Sequence, residues 1–313
     1  MASEFTILFN PSKLRLREEE DIGDTLYNYI ADGYLVEPEY DGRRCQALLT
    51  TNGWTFAGRS PETAVRAEYV NIPVRCSRIM SDLAASRLPT GTLLDGKLFT
   101  RDGWRALLRQ MTCSQARFED NRFTEPQLAI FDIIDLGAEC VARLPLTDRK
   151  DLLKGALPSG EGVFASRICG GDEGFEYALR MLERASPIIE GVALKQRNSI
   201  YNGHLHDWFV HKRTEIFLAV VLKVVQGHGK FRGMAGSMTI GQHFPDSRLQ
   251  RVASIDGMTV AQRQYVWDNR RAIVGSVVSF IAQEKTDRSY RSPRLYKFLD
   301  DADPKGCLWE AGT

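Results

Sequence analysis

The sequence predicts an α+β domain over residues 1–213 followed by an all-β domain over residues 214–313, and three observations lead there. At 313 residues with 43% hydrophobic content, the chain has apolar surface for two modest cores rather than one. Its first part interleaves short β-rich runs with helical stretches, the pattern of an α+β domain. After about Arg213 the texture changes to closely spaced strands broken by glycine turns.

Taken in order, Cys45–Thr51 reads as a strand, and Ser81–Ala85 and Trp104–Met111 suit helices. Gln127–Leu136 is an apolar strand with acid near its end. Phe217–Val225 strings together aromatic and β-branched residues, the side chains that favour strands, and the turn Gly227-His-Gly-Lys230 ends it. Gly233–Gly241 and Val274–Gln283 continue the alternation of turn and strand, which suits a small barrel. The boundary falls near Lys212 to Glu215. No internal repeat or low-complexity tract interrupts either half.

With 41 Lys and Arg against 40 Asp and Glu, the formal charge is +1, so a polyanion would have to be met by a local basic surface. The six cysteines are scattered, with no CxxC pair and no cluster at zinc spacing, which points to reduced structural thiols. His204, His206 and His211 lie close together but lack Cys or acid partners at suitable spacing. The start, MASEFTILFNPSKLRLREEED, carries early charges and no long apolar core, and no run reaches the roughly 20 apolar residues of a membrane span. A cytoplasmic monomer with no membrane association is expected.

Chemistry concentrates in a few segments. Glu37-Pro-Glu-Tyr-Asp-Gly-Arg-Arg44 directly precedes an apolar strand; alone, its Asp-Gly-Arg would be a common β-turn. Further along come Leu93-Leu-Asp-Gly-Lys-Leu-Phe99, Ala129-Ile-Phe-Asp-Ile-Ile-Asp135, Pro145-Leu-Thr-Asp-Arg149, Glu190-Gly-Val-Ala-Leu-Lys195 and Trp208-Phe-Val-His-Lys-Arg213. In order and spacing these resemble motifs I, III, IIIa, IV and V of ATP-dependent DNA ligases, with the Pro145 segment matching a helix start that ligases carry between them. Gly227–Gly241 looks like the glycine-rich hairpin that follows motif V in small bacterial and phage DNA ligases. Tyr290–Phe298 resembles the segment before motif VI.

The resemblance implies an ATP-grasp-like nucleotidyltransferase ligase core followed by an OB-fold domain, with ATP and Mg2+ as cofactors and nicked duplex DNA as partner. It also implies roles for single residues. Glu37 would read adenine, Arg44 would contact the ribose, and Phe131 would stack on the base. Glu190 would serve the metal, while Lys195 and Lys212 would bind phosphate. Arg59, Lys230 and Arg232 would meet the DNA. Plainer readings stand beside these: Phe131 as a core aromatic, Asp132 as a turn residue, Glu190 and Lys195 as a surface pair, Arg59 as a solvated side chain.

The departures are as informative as the matches. Glu39 stands where motif I has its nucleophilic lysine, and Lys97 stands where motif III has its glutamate. Val210 replaces the first lysine of motif V, and Leu299-Asp-Asp-Ala302 lacks the basic residues of motif VI. A carboxylate cannot form the phosphoramidate that carries AMP. If Glu39 and Lys97 face each other, the ion pair survives with its signs exchanged, and Lys97 becomes a candidate relocated nucleophile whose pKa would have to fall. The alternative is a ligase-shaped protein that binds nicked or gapped DNA, or seals only nicks that are already adenylated.

Overall fold

The computed structural model describes residues 12–13, 22–59, 69–72, 74, 76–120, 123–157, 160–184, 186–201, 207–286 and 288–309. It divides into two compact units, Met1–Lys212 and Arg213–Thr313. Among the described residues no helix is long and apolar enough to cross a membrane.

Unit 1 is built on two sheets. In the smaller, the strands run in the order Ser12–Lys13, Trp208–Lys212, Ile189–Gln196 and Tyr34–Tyr40. The larger runs Tyr69–Asn71, Gly53–Arg59, Arg43–Thr50, Leu93–Phe99, Gln127–Leu136 and Glu139–Cys140, with Val163–Ala165 beside Gln127–Leu136 in parallel. The Gln127–Leu136 strand and the start of the helix Trp104–Thr112 lie where the sequence predicts them. The second helix begins earlier than expected, at Ser77, because Ile79 as well as Leu83 faces the core.

Alternation along a strand decides what each face of the smaller sheet meets. Val36, Val192 and Leu194 point to one side and pack against Leu26 and Ile30 of the helix Ile22–Ala31 and Ala178 and Met181 of Gly171–Glu183. Leu35 and Trp208 point to the other side, where they join Leu48, Leu93 and Ile134 of the larger sheet. Each fully buried Leu or Ile contributes about 1.5–3 kcal/mol, so the first cluster holds the helices on the smaller sheet and the second holds the two sheets face to face. Two glycines permit close approach: a Cβ on Gly42 would collide with the Leu98 carbonyl, and one on Gly191 with that of His211.

Unit 2 is a five-stranded antiparallel sheet in the order Leu249–Ile255, Ala235–His243, Glu215–Gln226, Val277–Ala282 and Arg294–Leu299. A parallel bridge between Gly257 and Arg294 ties the two edges of that order together. The expectation of an all-β unit is corrected here, since Val260–Asp268 is an α-helix. Thr259 starts it with a capping box: its hydroxyl accepts from the Gln262 N–H while the Gln262 side chain accepts from the Thr259 N–H. Its buried Val266 packs into the same core as Phe280 and Ile240.

Candidate functional site

The alternation that sends Leu35 toward the larger sheet sends Glu37 and Glu39 there too, and on neighbouring strands Gly191 pairs with both Glu39 and Lys212. A register shift between Ile189 and Gly191 breaks the ladder at Glu190, so this residue can join the same face. From the opposite sheet, Arg44 and Lys97 form a cross-strand pair, and Gln46 pairs with Asp95. The motif residues of both sheets therefore meet across one cleft within unit 1.

At one end of that cleft the exchanged pair is formed. Lys97 Nζ donates to Glu39 Oε1 at 2.8 Å and to the Tyr40 carbonyl at 3.3 Å, and lies 3.9 Å from Glu190 Oε1. Lys212 Nζ reaches the same Glu190 oxygen at 2.6 Å. Burial, the strongest single influence on Lys97, favours its neutral form, but Glu39 and Glu190 together outweigh it and hold the amine above the ordinary lysine range. Burial likewise favours protonated Glu39, yet Lys97, with Lys212 and Lys195, keeps the carboxyl below its usual range. At Glu190 burial prevails over Lys212 and Lys97 and raises the carboxyl. Lys97 is thus an ammonium in this state, the opposite of the downward shift a nucleophilic amine requires.

The other end is aromatic. Arg44 donates to both oxygens of the fully buried Asp95, at 3.2 and 2.7 Å, and lies 5.4 Å from the Phe131 ring centre. The Tyr201 hydroxyl donates to Asp95 Oδ2 at 2.6 Å, so three groups fix one another. Lys195, to which the resemblance assigns a phosphate-binding role, is enclosed here, 4.4 Å from the Phe131 ring centre and 4.1 Å from that of Trp208. On its strand Lys195 pairs with Trp208, whereas Gly191 pairs with Lys212. Glu37 Oε1 receives two ammonium groups, Lys195 at 3.1 Å and Lys150 at 2.6 Å. Both contacts are short but poorly angled, leaving these three buried atoms without an aligned hydrogen bond. With one carboxylate serving two lysines, burial prevails at Lys150 and its pKa falls to about 8.

Beneath this end, Arg149 grips Asp132 with two bonds of 2.7 and 2.9 Å, both side chains sealed from solvent, and donates to the Leu144 and Ser199 carbonyls. Asp132 is therefore neither cap nor turn. Lys150 and Tyr201 are site residues that the sequence motifs do not single out, and Asp95 lies in the motif III segment without a role of its own. A signal exists: Leu146, Arg149, Lys150 and Leu153 are spaced as the inward stripe of a helix, and charges on such a stripe demand buried partners.

The remaining candidates lie elsewhere or outside the described residues. Arg59 ends the strand Gly53–Arg59, but its side chain lies outside the described residues, as do His204 and His206. Lys230 and Arg232 are exposed in unit 2, at the turn Gly229–Phe231. Among the described residues no group of three or more His, Cys, Asp or Glu is placed to hold a metal ion. Mg2+ takes one or two carboxylates, but Glu39 and Glu190 are already engaged by Lys97 and Lys212. The cleft as it stands does not fit the divalent cation assigned to Glu190.

A family model described as the ATP dependent DNA ligase domain matches residues 17–212. Among solved structures, a chain named Pmar-Lig_PreS3 superposes with a TM-score of 0.65 at 18% identity, covering 85% of this chain. The present chain spans 63% of that one. A structure from a structure–function analysis of Lig E DNA ligases, which bind DNA with a minimal scaffold, has a TM-score of 0.61 at 17% identity, covering 93% of this chain and 100% of its own. These identities speak to fold alone. No curated protein matches the chain.

Proposed function

The chain belongs to the ATP-dependent DNA ligase family, and on that premise we propose that it acts at nicks in duplex DNA that already carry AMP, sealing them without charging itself. The observation that carries this reading is the placement of Lys97, whose Nζ lies 2.8 Å from Glu39 Oε1 and 3.9 Å from Glu190 Oε1, two carboxylates that favour its ammonium form. An ammonium has no lone pair with which to attack an α-phosphate, but it can neutralise phosphate charge.

The adenylate would enter at the aromatic end. Glu37 supports this, being a buried carboxylate whose Oε1 has no aligned donor, beside the half-buried ring of Phe131. Arg44, held by Asp95 and Tyr201, would face the sugar. Lys97 and Lys212 would lie toward the phosphates. In the sealing step the 3′-hydroxyl oxygen attacks the nick's 5′-phosphorus, a P–O bond forms, and the bond to AMP breaks. Such phosphoryl transfer depends on positioning and charge neutralisation more than on covalent help from the protein. We read unit 2 as an OB-fold that meets the DNA backbone through Lys223, Lys230 and Arg232, a sequence-independent and salt-sensitive contact.

The test is sealing of a synthetic nick bearing a preformed 5′-adenylate, in the absence of ATP. Sealed product is expected; none at any ionic strength would leave a nick-binding protein. A second reading, nick sealing with self-adenylation on Lys97, draws on the same geometry, because the exchange moves the amine to the opposite sheet without taking it out of the cleft. Intact-protein mass spectrometry after incubation with ATP and Mg2+ separates the two. A gain of one adenylyl group that vanishes in Lys97→Ala establishes that second reading; an unchanged mass supports the first.

A further inference from the structure

We propose that the Lys97 ammonium is a tethered cation that occupies the place of a metal ion between Glu39 and Glu190, so that this cleft excludes divalent cations. The proposal concerns the free protein and stands whether or not nicks are sealed.

The reasoning rests on how the carboxylates are shared. Glu39 and Glu190 come from adjacent strands of the smaller sheet and converge on one nitrogen, at 2.8 and 3.9 Å, that arrives from the opposite sheet. Lys212 reaches the same oxygen of Glu190 at 2.6 Å. Two carboxylates and two ammonium groups leave the cluster formally neutral, and their side chains are from 9 to 30% exposed. A divalent cation entering such a cluster would have to displace the Lys97 ammonium or sit beside it. Displacement strands a buried positive charge, and adjacency opposes like charges, so either route is penalised in a poorly solvated site. Carboxylates that would otherwise be the ligands are thereby committed, in keeping with the lack of a three-ligand metal group among the described residues.

Removing the ammonium should unmask the site. Mn2+ is the probe, followed through the paramagnetic resonance signal of the free aqueous ion. The wild-type protein is expected to leave Mn2+ free, whereas Lys97→Gln, whose amide can still donate to Glu39, and Lys97→Ala should each bind it at least about tenfold more tightly. Adding Glu39→Gln to either variant should abolish the gain, and Mn2+ should raise the melting temperature of the single variants but not of the wild type. The proposal is overturned if wild type binds Mn2+ as tightly as the variants do. It also fails if folded Lys97→Gln, verified by circular dichroism, gains nothing. None of these readouts depends on ligation, so failure of the sealing reading leaves them intact.

Discussion

Lys97 and Lys150 are both largely withdrawn from water in unit 1, at 16% and 4% side-chain exposure, yet their amines are displaced in opposite directions. Lys97 faces two carboxylates, Glu39 and Glu190, and its proton is held more tightly than in water. Lys150 shares the single carboxylate of Glu37 with Lys195, and its pKa falls to about 8. Burial pulls both the same way, so the number of carboxylates per ammonium decides the outcome. Arg149 and Asp132 mark the balanced limit, one guanidinium on one carboxylate with its remaining donors on carbonyls. Balanced, aligned pairs build the scaffold, while the unbalanced, misaligned cluster sits where the cleft would take a ligand.

The largest effect should come from the balanced pair. Arg149→Met leaves Asp132 charged and enclosed, and we expect a loss of roughly 3–5 kcal/mol in urea denaturation; a loss under about 1 kcal/mol would mean that water reaches Asp132.

Next comes pH. Below its folded pKa of about 8, Lys150 is protonated in folded and unfolded chains alike. Between that value and its ordinary 10.5, the unfolded chain keeps a proton that the folded one has released, so stability rises with pH there. The gain is on the order of 3 kcal/mol and should appear as a slope present in wild type and missing from Lys150→Met. Lys97 behaves oppositely: its contribution is complete below its ordinary value and fades only as pH climbs through its raised one. Parallel curves for wild type and Lys150→Met would break the contrast between the two lysines.

Glu37→Gln should cost roughly 2 kcal/mol in acid, since it leaves two ammonium groups facing an amide, and the deficit should shrink as pH rises toward about 8, because without Glu37 the Lys150 pKa falls further and its proton leaves earlier than in wild type. The smallest effect is expected for Tyr201→Phe, which removes one donor from Asp95 while Arg44 remains: about 1 kcal/mol in the denaturation midpoint, with the ring still packed against Trp208.

Parts of the fold and of the cleft are legible in the amino-acid sequence. The Gln127–Leu136 strand is readable because a short, mostly apolar run rich in Ile, with only Asp132 and Asp135 inside it, has few other uses, and the Glu39 and Lys97 contact because two substitutions of opposite sign at facing motif positions compensate each other. The helix Val260–Asp268 is not legible, since a polar, weakly periodic stretch becomes helical through its capping box and the burial of Val266. Motif order alone does not put Lys195 beside Trp208 and Phe131. That order says which strand carries a residue, but cross-strand register decides which residue it sits beside.

By itself the sequence determined which charges exist, that Glu39 and Lys97 had traded signs, and the family to which the motifs belong. Only the tertiary structure decided the state of the Lys97 and Lys150 amines, the first held above the ordinary lysine range and the second below it. That state depends on how many carboxylates lie within a few ångströms and how much water is excluded, quantities set by residues far apart in the chain: Lys97 with Glu39 and Glu190, and Lys150 with Glu37 and Lys195.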